Sequence, residues 1–181
     1  MLRIQPADPA SASDDVKLLL DYIASEHRGA IPNVFKIMAR SKDALRAYLS
    51  CSDALRCGAL DPILREQIGL VVAQANGSEY GLSMHASTAE KLALSEAEIA
   101  ASRRAASQDA KKDAGLKFVR DVVVLRGQIE GRIFQEVRDA GYTDAEIVEI
   151  VATVALDIFT DYLNHVAKTQ LDFPQVSTSI K

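Results

Sequence analysis

The chain has 181 residues, 48% hydrophobic and 25% charged, with 21 Lys+Arg against 25 Asp+Glu for a formal net charge of −4. That length can bury about two thirds of its unfolded surface in one domain, and a composition near the globular average excludes disorder over most of it. The mildly acidic balance gives no electrostatic attraction to nucleic acid or an anionic membrane, and the longest apolar runs, IGLVVA and VATVAL, fall far short of the roughly 20 residues of a membrane span.

Everything after about residue 13 reads helical. Ser13 with Asp14 and Asp15 opens a helix whose apolar positions include Val16, Leu19, Leu20 and Ile23, an i, i+3, i+4, i+7 stripe. GAIPNVFKIMARS interrupts it, and a short helix then runs from Val34 to Ala39. A third helix crosses KDALRAYLSCSDALRCG and stops at Gly58. Asp61 is an N-cap with Pro62 at the first helical position, where the missing amide costs nothing. The helix ILREQIGLVVAQANG follows, and after Gly77 another runs to about Leu92. Ser95–Glu98 and Thr143–Glu146 are capping-box patterns. Between them, DAGLKFVRDVVVLRG and GRIFQEVRDAG each close on a glycine suited to a helix C′ position. A long apolar helix spans Asp144 to about Lys168, and the tail LDFPQVSTSIK reads as extended and surface-bound. No alternating strand pattern of useful length occurs, so the expected class is all-α.

A shift of 80 residues lays REQIGLVVAQANGSEYGLSMH over AEIVEIVATVALDIFTDYLNH and matches Glu66 with Glu146 and His85 with His165. This raises an internal duplication. The second pair has plain structural accounts. Glu146 is the third-residue partner of the Thr143 capping box, and His165 near a helix C-terminus interacts favourably with the dipole.

IPNVFKIMARS, LRCGALDPILREQIGLVVAQANGSEYGLSMHASTAEKLALSEAEI and LKFVRDVVVLRG…AGYTDAEIVEIVATVALDIFTDYLNHVAKTQLDFP together resemble the peroxidase-related branch of the carboxymuconolactone decarboxylase and alkylhydroperoxidase D superfamily, from about residue 30 to 174. The resemblance implies an alkylhydroperoxidase D-like helical bundle, one domain over residues 1–181 with irregular tails at 1–12 and 172–181, and assembly into homo-oligomers. Peroxidase members carry a Glu, then Cys-x-x-Cys, then His. Two thiols three apart on a helix form a thiol–disulfide couple, while the His and Glu move protons and lower a thiol pKa. Carried over, the Glu is Glu66 and the His is His85. The first cysteine position holds Ser78 and the second holds Gly81, so both sulfurs are gone. Decarboxylase members, by the same resemblance, keep an acid–base set around that Glu and His but place a glutamate where Gly81 stands.

The remaining chemistry centres on Glu66 and His85 as proton carriers, with Ser78 and Gly81 as binding positions. Ser78 and His85 are about 10 Å apart along one helix, too far for a hydrolytic dyad. A vacancy is expected beside Gly81, where a small ligand could touch Ser78 and His85 together. The alternative for Glu66 and His85 is a packing pair that fixes two helices. Tyr80 and Met84 fall off this face and read as core or interface residues. Cys51 and Cys57, six apart on one helix, point away from each other and do not replace the couple. Histidines at 27, 85 and 165 have no metal-ligand spacing, and no cofactor is expected. MLRIQPADPASASDD carries no signal-peptide pattern, and two cysteines make no disulfide framework, so a reducing cytoplasm is the expected location.

Overall fold

Short polar side chains set most helix starts. The computed structural model describes residues 2–179, and among them nine α-helices and no strand are found. In chain order these are α1 (Asp14–Glu26), α2 (Asn33–Met38), α3 (Lys42–Arg56), α4 (Pro62–Asn76), α5 (Glu79–Lys91), α6 (Glu96–Arg103), α7 (Ala110–Val124), α8 (Gly131–Asp139) and α9 (Asp144–Ala167). Asp61 caps α4 by accepting from the Leu64 amide. Ser95 and Thr143 form full capping boxes with Glu98 and Glu146. Gly77, Gly127 and Gly141 take positive φ just past the ends of α4, α7 and α8.

Helix α4 is the hub. Its seven residues from Gln67 to Ala73 are all buried, which fits a helix apolar on every side, and α5, α6, α7 and α9 pack around it. One core cluster joins α4, α7 and α9 through Ile68, Leu116 and Ile150. A second joins the first three helices to Tyr80 through Leu20, Phe35 and Leu45. A third closes α4, α5 and α6 around Leu70, Leu82 and Ile99.

The turn between α4 and α5 is two residues long. Gly77 adopts the left-handed conformation at φ 65°, and Ser78 at once becomes the N-cap of α5, accepting from the Gly81 amide at 3.1 Å. Ser78 therefore sits at the helix mouth rather than one turn into it, because the glycine stop and serine start meet with nothing between them. The segments compared at an offset of 80 residues fold differently: 65–85 is helix, turn, helix, whereas 145–165 is a single stretch of α9. That register carries no structural repeat.

The C-terminal tail is irregular but fastened. Asp172 accepts from the Tyr80 hydroxyl and the Asn33 amide, Phe173 meets the Tyr80 ring edge-on, and the Val176 amide donates to Ser83. Arg103 and Gln74 donate to the Ser177 and Thr178 carbonyls. The tail strap thus pins α5 against α2 and α6.

Candidate active site

Glu66 lies on α4 and His85 on α5, and the tight turn brings the two helices side by side. Glu66 Oε2 is 2.9 Å from His85 Nδ1. On the other edge of the ring, Nε2 is 3.7 Å from Asp157 Oδ1 on α9. The side chains of His85 and Asp157 are only 12% and 13% exposed. Burial alone would push the imidazole down, but the hydrogen bond with Glu66 and the carboxylates of Asp157, Glu66 and Asp161 outweigh it and raise His85 to about 9. Burial raises Asp157 to about 7, against the opposing pull of His85. At neutral pH the centre is an imidazolium between an ion-pair partner and a carboxyl close to its own midpoint.

Gly69 explains how the ring fits. A Cβ at this position would overlap Cε1, Nδ1 and Nε2 of His85 together, so the ring lies flat on the α4 backbone. Glycine in mid-helix weakens α4, and here it makes room for the imidazole.

The pair forms part of the wall of a cavity of about 430 Å³ between α1, α3, α4 and α5. Phe35, Tyr48, Leu49 and Met84 line it beside Glu66 and His85. An adjoining space of about 140 Å³ reaches Asp157, whose Oδ2 is buried without a hydrogen-bond partner. Burial pushes the Tyr48 phenol well above its usual range, so it stays a neutral donor. Met84, expected as core or interface, thus borders the open space, whereas Tyr80 is buried.

The arrangement beside Gly81 differs from the expectation. No hollow lies there, because the Asp161 carboxylate fills it: a Cβ on residue 81 would overlap Asp161 Oδ1 and lie 3.0 Å from both Ala73 Cβ and Ser78 Oγ. Asp161 is 2% exposed and accepts from Asn76 Nδ2 at 2.9 Å. Its carboxyl is raised by burial, with Asn76 and Ser78 bonds opposing. Ser78 and Gly81 therefore face a buried acid, and the open space lies on the Tyr48 side of His85. Cys51 and Cys57 are exposed free thiols. Glu146 completes its capping box and pairs with Lys111.

Asp157 and Asp161 escaped the sequence reading although a signal existed. Two carboxylates one turn apart inside an otherwise apolar helix are costly unless something offsets them.

All-α packing, a two-residue elbow and a Glu–His contact across it make up a helical bundle with one buried acid–base pair. The family profile for the carboxymuconolactone decarboxylase family matches residues 42–120, which contain all four expected site residues. Over this segment the chain is similar to the carboxymuconolactone decarboxylase family. Its fold is shared with an uncharacterized peroxidase-related protein from Silicibacter sp. TM1040, at 23% identity over 93% of this chain and 90% of that one, TM-score 0.81. It is shared as well with an alkylhydroperoxidase core protein from Ralstonia eutropha JMP134, at 22% identity over 94% and 92% of the two chains, TM-score 0.85. The debrominase Bmp8, solved with 2,3,4-tribromopyrrole, has the same fold at 17% identity over 93% and 91%, TM-score 0.80. No curated protein matches the sequence.

Proposed function

We propose that this chain is a peroxidase-related superfamily member that has given up thiol redox chemistry and works as an acid–base pocket for a small ring-sized molecule. The observation that carries this is the 2.9 Å contact between Glu66 and His85 in the wall of a cavity of about 430 Å³. That volume suits a compact ligand, and the lining sets aromatic and aliphatic side chains such as Phe35, Tyr48 and Leu49 beside charged ones such as Arg56 and Arg65. The halogenated pyrrole taken by the debrominase of the same fold is a molecule of this size. Glu66 and His85 hold and move the proton, and positioned proton transfer of this kind contributes roughly 10² to 10⁴-fold. Without sulfur at 78 and 81 no disulfide can form across the motif. With Cys51 and Cys57 alkylated, peroxide consumption with a dithiol reductant should stay at background, and robust turnover would overturn the reading.

The buried bridge between α4 and α5 also favours a purely structural reading, and binding separates the two. Titration with 2,3,4-tribromopyrrole should move the His85 ring resonances in native protein and weaken in Glu66→Gln and His85→Asn variants that remain folded. Variants that merely lose stability, with no ligand effect in any form, identify the pair as a helix staple.

We further propose a homo-oligomer. Val148, Val151, Ala155, Phe159, Tyr162 and Val166 are all exposed on α9 at spacings of three and four, a single apolar stripe. It runs about 27 Å at 1.5 Å per residue, and soluble monomers rarely leave such a patch bare. Light scattering should report a dimer or larger for the native chain and a smaller species for Val151→Glu with Tyr162→Glu; a native monomer contradicts the proposal.

A further inference from the structure

The cavity of about 430 Å³ and the adjoining one of about 140 Å³ share Tyr48, Ser52, Arg56, Arg65, Glu66 and His85, so these side chains border the junction of the two. All six are polar. Ile23, Phe35, Leu49 and Met84, by contrast, wall the larger space alone. A ring can fill that apolar lobe and present one edge to the junction.

Hydrogen-bond donors are in excess there. The Tyr48 hydroxyl makes no hydrogen bond among the described residues. Tyr48 is half-buried, and its hydroxyl opens on the space, unlike Asp157 Oδ2, which is sealed in the wall. Its ring is braced with centroids 5.7 Å from Phe35 and 6.4 Å from Phe159, which limits where the hydroxyl can point. Burial keeps this phenol protonated. Arg65 donates to the Leu60 carbonyl and forms no ion pair among the described residues, whereas Arg56 is held by Glu26 and Asp53. The positive charge of Arg65 is therefore uncompensated. Acceptors are scarce by comparison. His85, raised to about 9, is already protonated at neutral pH and has no lone pair to offer. Glu66 engages it through Oε2, and Glu66 Oε1 accepts no hydrogen bond among the described residues.

We infer that the pocket enolises a small cyclic ketone: Glu66 Oε1 removes a proton from the carbon beside the carbonyl, while the Tyr48 hydroxyl and Arg65 hold the oxygen on which charge collects. This rests on the acid–base reading of Glu66 and His85 above and names its substrate class. The C–H electron pair becomes the new C=C bond and the carbonyl π pair moves to oxygen. The proton stays on Glu66 until it returns to carbon, so the step balances without a co-reactant. Donors fixed where negative charge develops act mainly on the transition state. A neutral ketone fits better than a ligand already anionic. A permanent negative charge would face the Glu66 carboxylate, whereas the enolate forms only as Glu66 is neutralised.

Cyclohexanone in D₂O tests this, because a deuteron from solvent replaces the proton carried on Glu66 and the α-proton signals fade. Native protein should exchange these positions with saturation kinetics. Tyr48→Phe keeps the ring that packs on Phe35 and should lower kcat by about 10²-fold with little change in KM, the cost of one donor to a developing oxyanion. Arg65→Met should lower kcat severalfold at unchanged KM. Glu66→Gln should exchange no faster than buffer, and circular dichroism should show all three variants folded. If 2,3,4-tribromopyrrole moves the His85 ring resonances but cyclohexanone exchanges only at the buffer rate, enolisation is overturned and the acid–base pocket stands. If neither molecule affects His85 and no exchange is catalysed, both readings fall. Catalysed exchange that is equally fast in Tyr48→Phe would overturn the role given to Tyr48.

Discussion

Gly81→Cys should lower stability by about 1–3 kcal/mol, the usual cost of forcing atoms into a filled core, and Asp161→Ala in the same chain should recover most of that loss. The new Cβ would overlap Asp161 Oδ1, and this carboxylate cannot step aside freely. It is almost fully buried and accepts from Asn76, so swinging away strands both groups. Asp161→Ala alone gives up the Asn76 bond but also removes a buried acid whose charged form is disfavoured by burial. The two substitutions should therefore be strongly non-additive in a double-mutant cycle read by urea denaturation, and strict additivity would show that Asp161 is not the obstacle. The same logic governs any attempt to restore the redox pair. A disulfide between cysteines introduced at 78 and 81 should form in the Asp161→Ala background and fail in the native one.

The stability of the protein should fall as pH rises from about 4 to 9. His85 is raised from its ordinary 6.5 to about 9, so its contribution is fully present below 6.5 and is lost as pH climbs through 9. At 1.36 kcal/mol per unit this amounts to roughly 3 kcal/mol. Asp157, raised from 3.8 to about 7, acts with the same sign at lower pH, because the folded chain holds a proton that the unfolded chain releases. Carboxylates held low, such as Asp113 beside Lys117, act oppositely and cost stability only on strong acidification. The optimum should therefore lie on the acid side of neutrality. His85→Leu should flatten the limb between 6.5 and 9, and the ring protons of native His85 should titrate near 9. A midpoint near 6.5 would mean that Glu66 and Asp157 do not hold the charge.

Half of this centre was legible from sequence because the family resemblance carried Glu66 and His85 over, and the helices that hold them are marked locally. Glu66 and His85 sit on adjacent helices joined by a glycine–serine elbow, and an N-cap, a proline and a left-handed glycine mark those helices without tertiary information. Asp157 and Asp161 arrive from α9, more than 70 residues later, and only the folded chain places them on the imidazole and beside Gly81. The expected hollow at residue 81 failed for this reason: a missing side chain leaves space only when no distant neighbour enters it. Gly69 was overlooked as an ordinary helix residue, and its use became visible once the ring was found on top of it. Self-association was expected from the resemblance, but which residues of the α9 stripe face outward was decided by what α4 and α7 cover.

The flat seat that Gly69 offers has a consequence for traffic of hydrogen ions. A ring pressed face-on against backbone cannot turn through a quarter revolution without driving its edge into that backbone. Its two nitrogens thus keep fixed addresses, one at Glu66 and one towards Asp157. In the proposed acid–base role each nitrogen can exchange a proton only with the group at its own edge, so the imidazole would work in place rather than as a swinging arm.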